Sequence, residues 1–257
     1  MTQISRSTQE DLLRLQLEIQ RRQYNTDFYT FFKDAWAEID PYTDLQENWH
    51  ITYLAWLAQY LVEPVLNKKR PPHTTILINV PPRSLKSWIF NQALPVWIWS
   101  KQPSLPLMTV SYSEELAHGF SRKSQEIIKS KWFKRIYGDT FSIDQSEGGR
   151  EAVGETQTSK GGIRLSTGTG GSTVGKGFMV GVVDDPLKPQ ELKSKKALQE
   201  NKEFWDHSFD TRRNNPLMAV AFVIMQRLAE DDMSGHLNEK YGTDEDYLHV
   251  NLPAVQD

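Results

Sequence analysis

The segment Thr74–Phe90 reads TTILINVPPRSLKSWIF, and it decides the fold. Thr74–Val80 is mostly apolar and β-branched, which predicts a buried strand. From Lys86 to Trp99 the apolar residues return with helical spacing, which predicts a helix. A loop between a buried strand and a helix is a typical phosphate-binding site, because main-chain N–H groups and the helix N-terminus face an anion there.

The residues on either side continue this alternation of strands and helices. The further predicted strands are Leu107–Tyr112, Gly162–Ser166, Phe178–Val183, Ala219–Met225 and Tyr247–Leu252. The predicted helices are an N-terminal helix, Trp49–Leu66, Ser113–Ser130 and Gln190–Ser208. Such alternation predicts an α/β fold with a mostly parallel sheet flanked by helices. Residues 1–70 are predicted to form a helical attachment packed on a core of residues 71–257, and the glycine-rich stretch Gly148–Gly177 to hold a long flexible loop.

Composition limits the class of protein. The chain has 257 residues, with 30 Lys and Arg against 33 Asp and Glu, for a formal net charge of −3. This balance excludes a globally basic nucleic-acid coat but leaves a local basic surface open. The absence of cysteine excludes disulfides, thiolate metal sites and cysteine nucleophiles. The longest apolar run, Leu217–Met225, is nine residues, whereas a bilayer span needs about 20. A soluble intracellular protein is therefore predicted.

The loop after the first strand carries the residue types of a nucleotide site. Within Val80–Ser87, Lys86 would reach the β- and γ-phosphates and the Ser87 hydroxyl would ligate Mg²⁺. Against the pattern G-x-x-x-x-G-K-[ST], Val80 and Leu85 occupy the two glycine positions. A proline-rich turn before an ordinary helix is the alternative interpretation.

A pair of carboxylates follows another apolar run. Met179–Val183 ends in Asp184-Asp185-Pro186, 98 residues after Lys86 (184 − 86). A buried parallel strand that ends in two carboxylates is the Walker B arrangement, and ligands of open α/β sheets bind at that edge. Asp184 would hold Mg²⁺ and Asp185 would orient the attacking water. The alternative is an Asp-Asp-Pro turn with no catalytic role.

Several separated segments together resemble one known family. They are Ile78–Ser87, Thr109–Ala117 with the Ser121-Arg122 that follows, Gly175–Lys188, Val223–Leu237 and Asn251–Ala254. With these segments the chain resembles the large terminase subunit of tailed bacteriophages, the ATPase that drives DNA into the prohead. Members often carry P-P-R-x-x-K-S as a deviant Walker A, so the resemblance implies an ATP-binding loop without the usual glycines. Its contact residues would be Pro81, Pro82, Arg83, Ser84, Leu85, Lys86 and Ser87.

The family's motor domain is similar to the RecA-like, additional-strand P-loop ATPases. The strand after Walker B carries a coupling motif in the family, which implies that Gln226 and Arg227, at the tip of Ala219–Met225, sense the γ-phosphate. An ordinary polar strand end is the alternative. The resemblance also implies that Arg83 is a catalytic contact or switch residue, although it could instead form a surface ion pair.

Two further roles follow from the resemblance. Family members place an aromatic and polar segment upstream of Walker A against the base, which implies that Gln46 reads adenine and Trp49 stacks on it. Trp49 could equally be a core helix residue. Relatives often carry an arginine finger just before Walker B; here Lys176 holds that position, in a glycine-rich segment, and Arg164 is the other local candidate.

The resemblance implies Mg²⁺-dependent ATP hydrolysis that powers translocation of double-stranded DNA into a viral prohead, in the host cell cytoplasm. The implied partners are the portal protein, the small terminase subunit and further copies in a homo-oligomeric ring, with a monomer in isolation. Nuclease activity is not expected in this chain, because nothing resembling the family's nuclease domain follows Ala254. Candidate DNA contacts are the basic clusters Lys129–Arg135, Lys193–Lys196 and Arg212-Arg213, which could also be solvated helix faces. The alternatives are a non-catalytic nucleotide- or DNA-binding assembly module, or another nucleic-acid-dependent ATPase such as a helicase.

Overall fold

The computed structural model describes residues 6–253. Residues 1–5 and 254–257 lie outside the described residues. They include Ala254, the start of the predicted attachment 1–70 and the end of the predicted core 71–257. Within residues 6–253 the strands are β1 Thr75–Asn79, β2 Leu107–Ser111, β3 Arg150–Glu151, β4 Glu155–Gln157, β5 Ile163–Gly168, β6 Val180–Asp184, β7 Val220–Met225 and β8 Tyr247–Asn251. The α-helices are α1 Arg6–Thr26, α2 Phe28–Ile39, α3 Trp49–Leu66, α4 Leu94–Lys101, α5 Glu114–Lys129, α6 Lys131–Tyr137, α7 Lys195–Glu203 and α8 Met233–Tyr241.

The described strands form one mostly parallel sheet in the order β3-β4-β5-β2-β6-β7-β1-β8. Every pairing from β5 across to β8 is parallel, and only the β3–β4 and β4–β5 pairings at one edge are antiparallel. Helices cover both faces, which confirms the predicted α/β class. The strand β7 lies between β1 and β6, as the additional-strand arrangement implies.

The register of the central strands decides what meets at the edge of the sheet. Asn79 at the end of β1 pairs with Met225 at the end of β7, and Asp184 at the end of β6 pairs with Ile224. Parallel strands in this register end together at one edge. The segments that follow β1, β6 and β7 therefore start side by side.

Two hydrophobic clusters fill the space on the two faces of the sheet. One joins α2 and α3 to side chains such as Ile78 and Phe222, and the other packs Phe204, Trp205 and Phe209 below Val183 and Val223. The N-terminal helices thus share a core with the sheet. The division into residues 1–70 and 71–257 stays a prediction. No helix among residues 6–253 is long and apolar enough to cross a bilayer.

Two parts of the chain differ from the sequence-based expectation in their secondary structure. The helix α2 was missed, although α3 has the predicted bounds. The stretch Gly148–Gly177 holds less loop than predicted, because the unpredicted strands β3 and β4 pair there beside β5, which corresponds to the predicted strand Gly162–Ser166. Beyond β5, the Thr173 hydroxyl donates to the Ser208 carbonyl at 3.0 Å, which anchors the remaining glycine-rich turn.

The two long helices predicted after β1 and β6 are also not regular. The first widens into a π-helical turn at Trp88–Ala93 before α4 begins, and the second ends in another at Phe204–Phe209. Pro95 explains the first, because proline has no N–H to give to the carbonyl of Asn91, four residues earlier, and its ring crowds that carbonyl. Single π-helical turns of this kind occur frequently at functional sites.

Candidate functional site

The predicted loop and the predicted carboxylates meet at the carboxyl edge of the sheet. Lys86 Nζ donates to Asp185 Oδ1 at 2.6 Å and lies 4.0 Å from Asp184 Oδ1. Lys86 itself is buried. The alignment of β1, β7 and β6 therefore places Lys86, from the loop after β1, against both carboxylates at the end of β6. Lys86 and Asp185 are 99 residues apart in the chain.

The loop adopts its conformation without glycine. Arg83 and Leu85 have φ angles of +63° and +60°, which are in the left-handed region. Such angles in residues with a side chain cost on the order of 1–3 kcal/mol each and cluster at ligand-binding sites. In the described part of the chain the N–H groups of Arg83 and Leu85 have no hydrogen-bond acceptor. Free N–H groups beside left-handed residues form a concave anion site, as expected for a phosphate loop.

Asp184 is buried at the base of this edge. The Asn91 side-chain amide donates to its Oδ2 at 2.8 Å, whereas Oδ1 has no hydrogen-bond partner among the described residues. Burial raises the pKa of Asp184 to about 6, and the neighbouring Asp185 carboxylate adds to this effect; Lys86, Ser87 and Asn91 oppose it. An unpaired carboxylate oxygen beside the Ser87 hydroxyl is a donor set of hard oxygens that suits Mg²⁺.

Asp185 has a different environment. Its side chain is about one-third exposed at 32%, so its carboxylate reaches solvent as well as Lys86. Its φ is +44°, and its Oδ1 also accepts from the Gln226 main-chain N–H at 3.3 Å. The tip of β7 is thus hydrogen bonded to the predicted water-orienting residue. One carboxylate is suited to a metal ion and the other to a water molecule.

The predicted coupling residues lie near a row of polar side chains that runs from exposed His249 to buried Asn79 and Ser234. Arg227 is exposed; desolvation of the His249 ring lowers the pKa of His249, and the positive charge of Arg227 adds to this effect. His249 contacts the Asn79 side chain at 2.8 Å, and Asn79 donates to the Ser234 hydroxyl at 2.8 Å. These contacts tie β8, the end of β1 and α8 together directly below the loop.

A cavity of about 290 Å³ lies between the loop and the start of α3. It is lined by Asn48, Trp49, His50, Val80, Pro81, Pro82, Arg83, Ser84, Leu252 and Pro253. Trp49 is 60% exposed, so it is not a core residue, and its indole is placed beside the loop. Gln46 is exposed but does not line the cavity within the described chain, so the structure brings together only one of the two predicted adenine contacts.

Lys176 lies far from the loop of its own chain. Its Nζ forms an ion pair with Glu155 Oε2 at 2.8 Å, and Glu155 is on β4. Five strand spacings separate β4 from β1, or about 24 Å at ~4.8 Å each. A role for Lys176 at its own nucleotide site therefore requires a large movement of this segment.

Two of the basic candidates are buried. Arg164 is only 1% exposed and lies under α5, so the alternative assignment of Arg164 as a finger is wrong. Arg213 pairs with Asp210 at 2.6 Å and donates to main-chain carbonyls at the opposite end of the sheet, so this member of the candidate cluster Arg212-Arg213 is neither a DNA contact nor a solvated side chain. Exposed Arg83 has no ion pair within residues 6–253, contrary to the alternative of a surface ion pair.

Comparison with known proteins identifies the fold. No family model and no curated protein matches the sequence. Among solved structures, the crystal structure of the HK97 bacteriophage large terminase is similar, with a TM-score of 0.54 and 10% sequence identity over 91% of this chain. The match covers 44% of the terminase chain, so this chain spans less than half of that protein's length. The resemblance found in the sequence is confirmed at the level of the fold.

Proposed function

We propose that this chain is the ATPase motor of a viral DNA-packaging machine and that it hydrolyses ATP with Mg²⁺ to move double-stranded DNA. The contact of Lys86 with both carboxylates below a loop with free N–H groups carries this proposal. The fold similarity to a phage large terminase supports it. In such enzymes catalysis consists mainly of positioning and charge stabilisation.

The residues divide the work as follows. The N–H groups of the loop Pro81–Ser87 hold the phosphates, and Lys86 neutralises the β- and γ-phosphates. Ser87 and Asp184 would hold Mg²⁺, which when bound supplies positive charge to the phosphate oxygens. Asp185 orients the attacking water, and Trp49 stacks on the base beside the loop.

The ion pair between Lys86 and Asp185 suggests how binding and chemistry are linked. The Lys86 ammonium group cannot stay in its closest contact with Asp185 and also reach the phosphates. When ATP binds, it therefore moves towards the phosphates and donates to them. Asp185 then loses its main cationic partner and is free to accept a hydrogen bond from water. Because Gln226 donates its N–H to the same Asp185 oxygen, the tip of β7 senses this change. Arg227, next in the chain, extends the signal to the surface.

The remaining parts of the proposal concern assembly. Lys176 acts as the finger on the nucleotide of the neighbouring copy in a homo-oligomeric ring, because its ion pair with Glu155 on β4 holds it several strands away from its own loop. The portal protein, the small terminase subunit and DNA are the proposed partners. DNA contacts come from exposed lysines such as those of Lys193–Lys196, whose phosphate interactions are independent of sequence.

The proposal is tested by separating binding from turnover. We expect Asp185→Asn to bind a fluorescent ATP analogue with Mg²⁺ within a few-fold of the wild-type affinity and to lose phosphate release by about 100-fold or more. Asp246→Asn, which removes a surface partner of Arg70, is the matched control and should leave both unchanged.

The possible outcomes distinguish the alternatives. Near-normal turnover in Asp185→Asn would contradict the assigned role of that carboxylate. A wild-type chain that binds ATP but releases no phosphate, with or without DNA, would instead favour a non-catalytic assembly module.

A further inference from the structure

Arg164 on β5 is a buried cation without an anionic partner. It is 1% exposed, and no carboxylate in residues 6–253 lies within 4.0 Å of its guanidinium. Burial lowers the pKa of Arg164. An unpaired buried charge is costly, and an apolar side chain of similar volume would often be as stable there. Its contacts therefore need a reason other than packing.

The guanidinium is directed at the helix that follows the nucleotide loop. Arg164 Nη2 donates to the Asn91 carbonyl at 2.7 Å, and Nη1 donates to the Ser124 hydroxyl at 2.6 Å. Ser124 in turn donates to the Gln92 carbonyl at 2.8 Å. The third donor, Nε, contacts Thr109 Oγ1 at 3.3 Å. Arg164 and Ser124 together hold two successive carbonyls of the π-helical turn.

That turn needs an external donor because of Pro95. In a regular helix the carbonyl of Asn91 would accept from the N–H of residue 95, which proline lacks. The turn instead widens, with the Leu94 N–H donating to the carbonyl of Ile89, five residues back. The guanidinium supplies the donor that proline cannot, and so fixes the main chain at Asn91.

The side chain of the same residue reaches the predicted metal site. Asn91 Nδ2 donates to Asp184 Oδ2 at 2.8 Å. Of the two oxygens of the Asp184 carboxylate, Oδ1 is the one left without a hydrogen bond to the described residues. Asn91 therefore connects Arg164 to the Asp184 carboxylate. Its main-chain carbonyl accepts from Arg164, and its side-chain amide donates to Asp184. Neighbours of this kind orient metal ligands, and their mutation typically lowers metal affinity about 10–100-fold.

We propose that Arg164 is a positioning residue that, through Asn91, holds the Asp184 carboxylate with Oδ1 presented to the divalent cation. This inference rests on the proposed function, because it assumes that Asp184 ligates Mg²⁺. It assigns to Arg164 a role inside its own subunit, at a distance from the nucleotide.

The experiment measures metal dependence separately from nucleotide affinity. A fluorescent ATP analogue is titrated in EDTA and then over a range of Mg²⁺ concentrations. Arg164→Lys keeps the charge but loses the planar fork that reaches two acceptors. We expect it to raise the Mg²⁺ concentration for half-maximal tight binding about tenfold, with affinity in EDTA within about twofold of wild type.

Two further variants separate positioning from general destabilisation. Asn91→Ala should raise the Mg²⁺ requirement to a similar extent, and the double variant should add nothing, because both act on one carboxylate. Arg213→Lys is the matched control, since Arg213 is also buried but lies at the opposite end of the sheet. It should lower the melting temperature without changing the Mg²⁺ requirement.

Each outcome decides the inference. An unchanged Mg²⁺ requirement in Arg164→Lys, an additive double variant, or an equal effect of Arg213→Lys would overturn it while leaving the proposed function intact. If the wild-type chain shows no Mg²⁺-dependent ATP binding, the proposed function fails and this inference fails with it. Because that second result is seen in the wild type and the first only in variants, the two failures are distinguishable.

Discussion

Two lysine-bearing segments leave the carboxyl edge of the same sheet and differ in almost every respect. Val80–Ser87 has no glycine, yet it adopts left-handed angles and brings Lys86 to the buried carboxylates. Gly168–Gly177 has the glycines of a phosphate loop, yet its Lys176 pairs with Glu155 at the far side of the sheet. The comparison teaches that strand position, and not glycine content, decides which segment faces the carboxylates.

The difference follows from what comes next in each chain segment. After the first segment the chain enters a helix, whose N-terminal N–H groups point at the loop. After the second, the chain returns to begin β6, so no helix N-terminus is directed at that segment. Glycine makes left-handed angles inexpensive but does not create an anion site by itself.

The largest expected effect contrasts the two lysines in the dilute chain. Lys86→Ala should lower phosphate release about 100-fold or more, because it removes the charge partner of the phosphates. Lys176→Ala should change phosphate release by no more than about twofold. Its partner Glu155 is on β4, which is about 24 Å across the sheet from β1. Steady-state phosphate release with Mg²⁺ measures both, and equal effects of the two substitutions would contradict the contrast.

The second prediction concerns the proposed action of Lys176 on the nucleotide of a neighbouring subunit. Under ring-forming conditions, Lys176→Ala subunits alone should hydrolyse ATP only at the slow rate of the dilute chain, and mixing them with Lys86→Ala subunits that retain Lys176 should raise that rate. A cation supplied in trans contributes about 10³ or more in rate in related mechanisms. If no ratio restores activity although co-assembly is shown, Lys176 does not act on a neighbouring copy.

The third prediction concerns the buried carboxylate below the first loop. Because burial raises the pKa of Asp184 to about 6, its ionised form costs folding free energy at pH 7. Asp184→Asn should therefore raise the free energy of unfolding at pH 7 by roughly 3 kcal/mol while abolishing Mg²⁺-dependent nucleotide binding.

The pH dependence gives the sign of this effect. The folded chain binds the Asp184 proton more tightly than the unfolded chain, so wild-type stability gains from this group as pH falls from 7 towards 4. The advantage of Asp184→Asn should disappear by about pH 4, where the residue is largely protonated in the folded chain. Urea unfolding at both pH values measures it, and a less stable variant at pH 7 would count against the buried, ionised carboxylate.

The smallest expected effect tests the glycines of the second segment. Gly175 has φ of +74°, so Gly175→Ala should lower the free energy of unfolding by about 1 kcal/mol. Gly170 lies in equally open space without a left-handed angle, and Gly170→Ala is the matched control, expected to be near neutral. Equal effects in thermal unfolding would show that the backbone angle does not matter there.

Much of the site was predictable because it depends on local patterns. Thr75–Asn79 and Val180–Asp184 are short buried strands that each end in a polar residue, and this pattern is a strong signal at a sheet edge. Asn91 was missed, although an asparagine within an apolar helix and four residues before a proline was a usable signal. Arg164 was misassigned, because a lone arginine on a strand carries no mark of whether its strand is central or exposed.

The sequence by itself determined the alternation of strands and helices, the position of Lys86 after β1 and that of Asp184 and Asp185 after β6. These features depend on hydrophobic periodicity and on residues close together in the chain. Only the tertiary structure decided that β7 lies between those strands and that Lys86 contacts both carboxylates. It also decided that Lys176 pairs with Glu155 and that Arg164 is buried. The physical reason is that strand order and register arise from long-range packing of the two faces of the sheet, and a local pattern does not contain the distance between segments that are far apart in the chain.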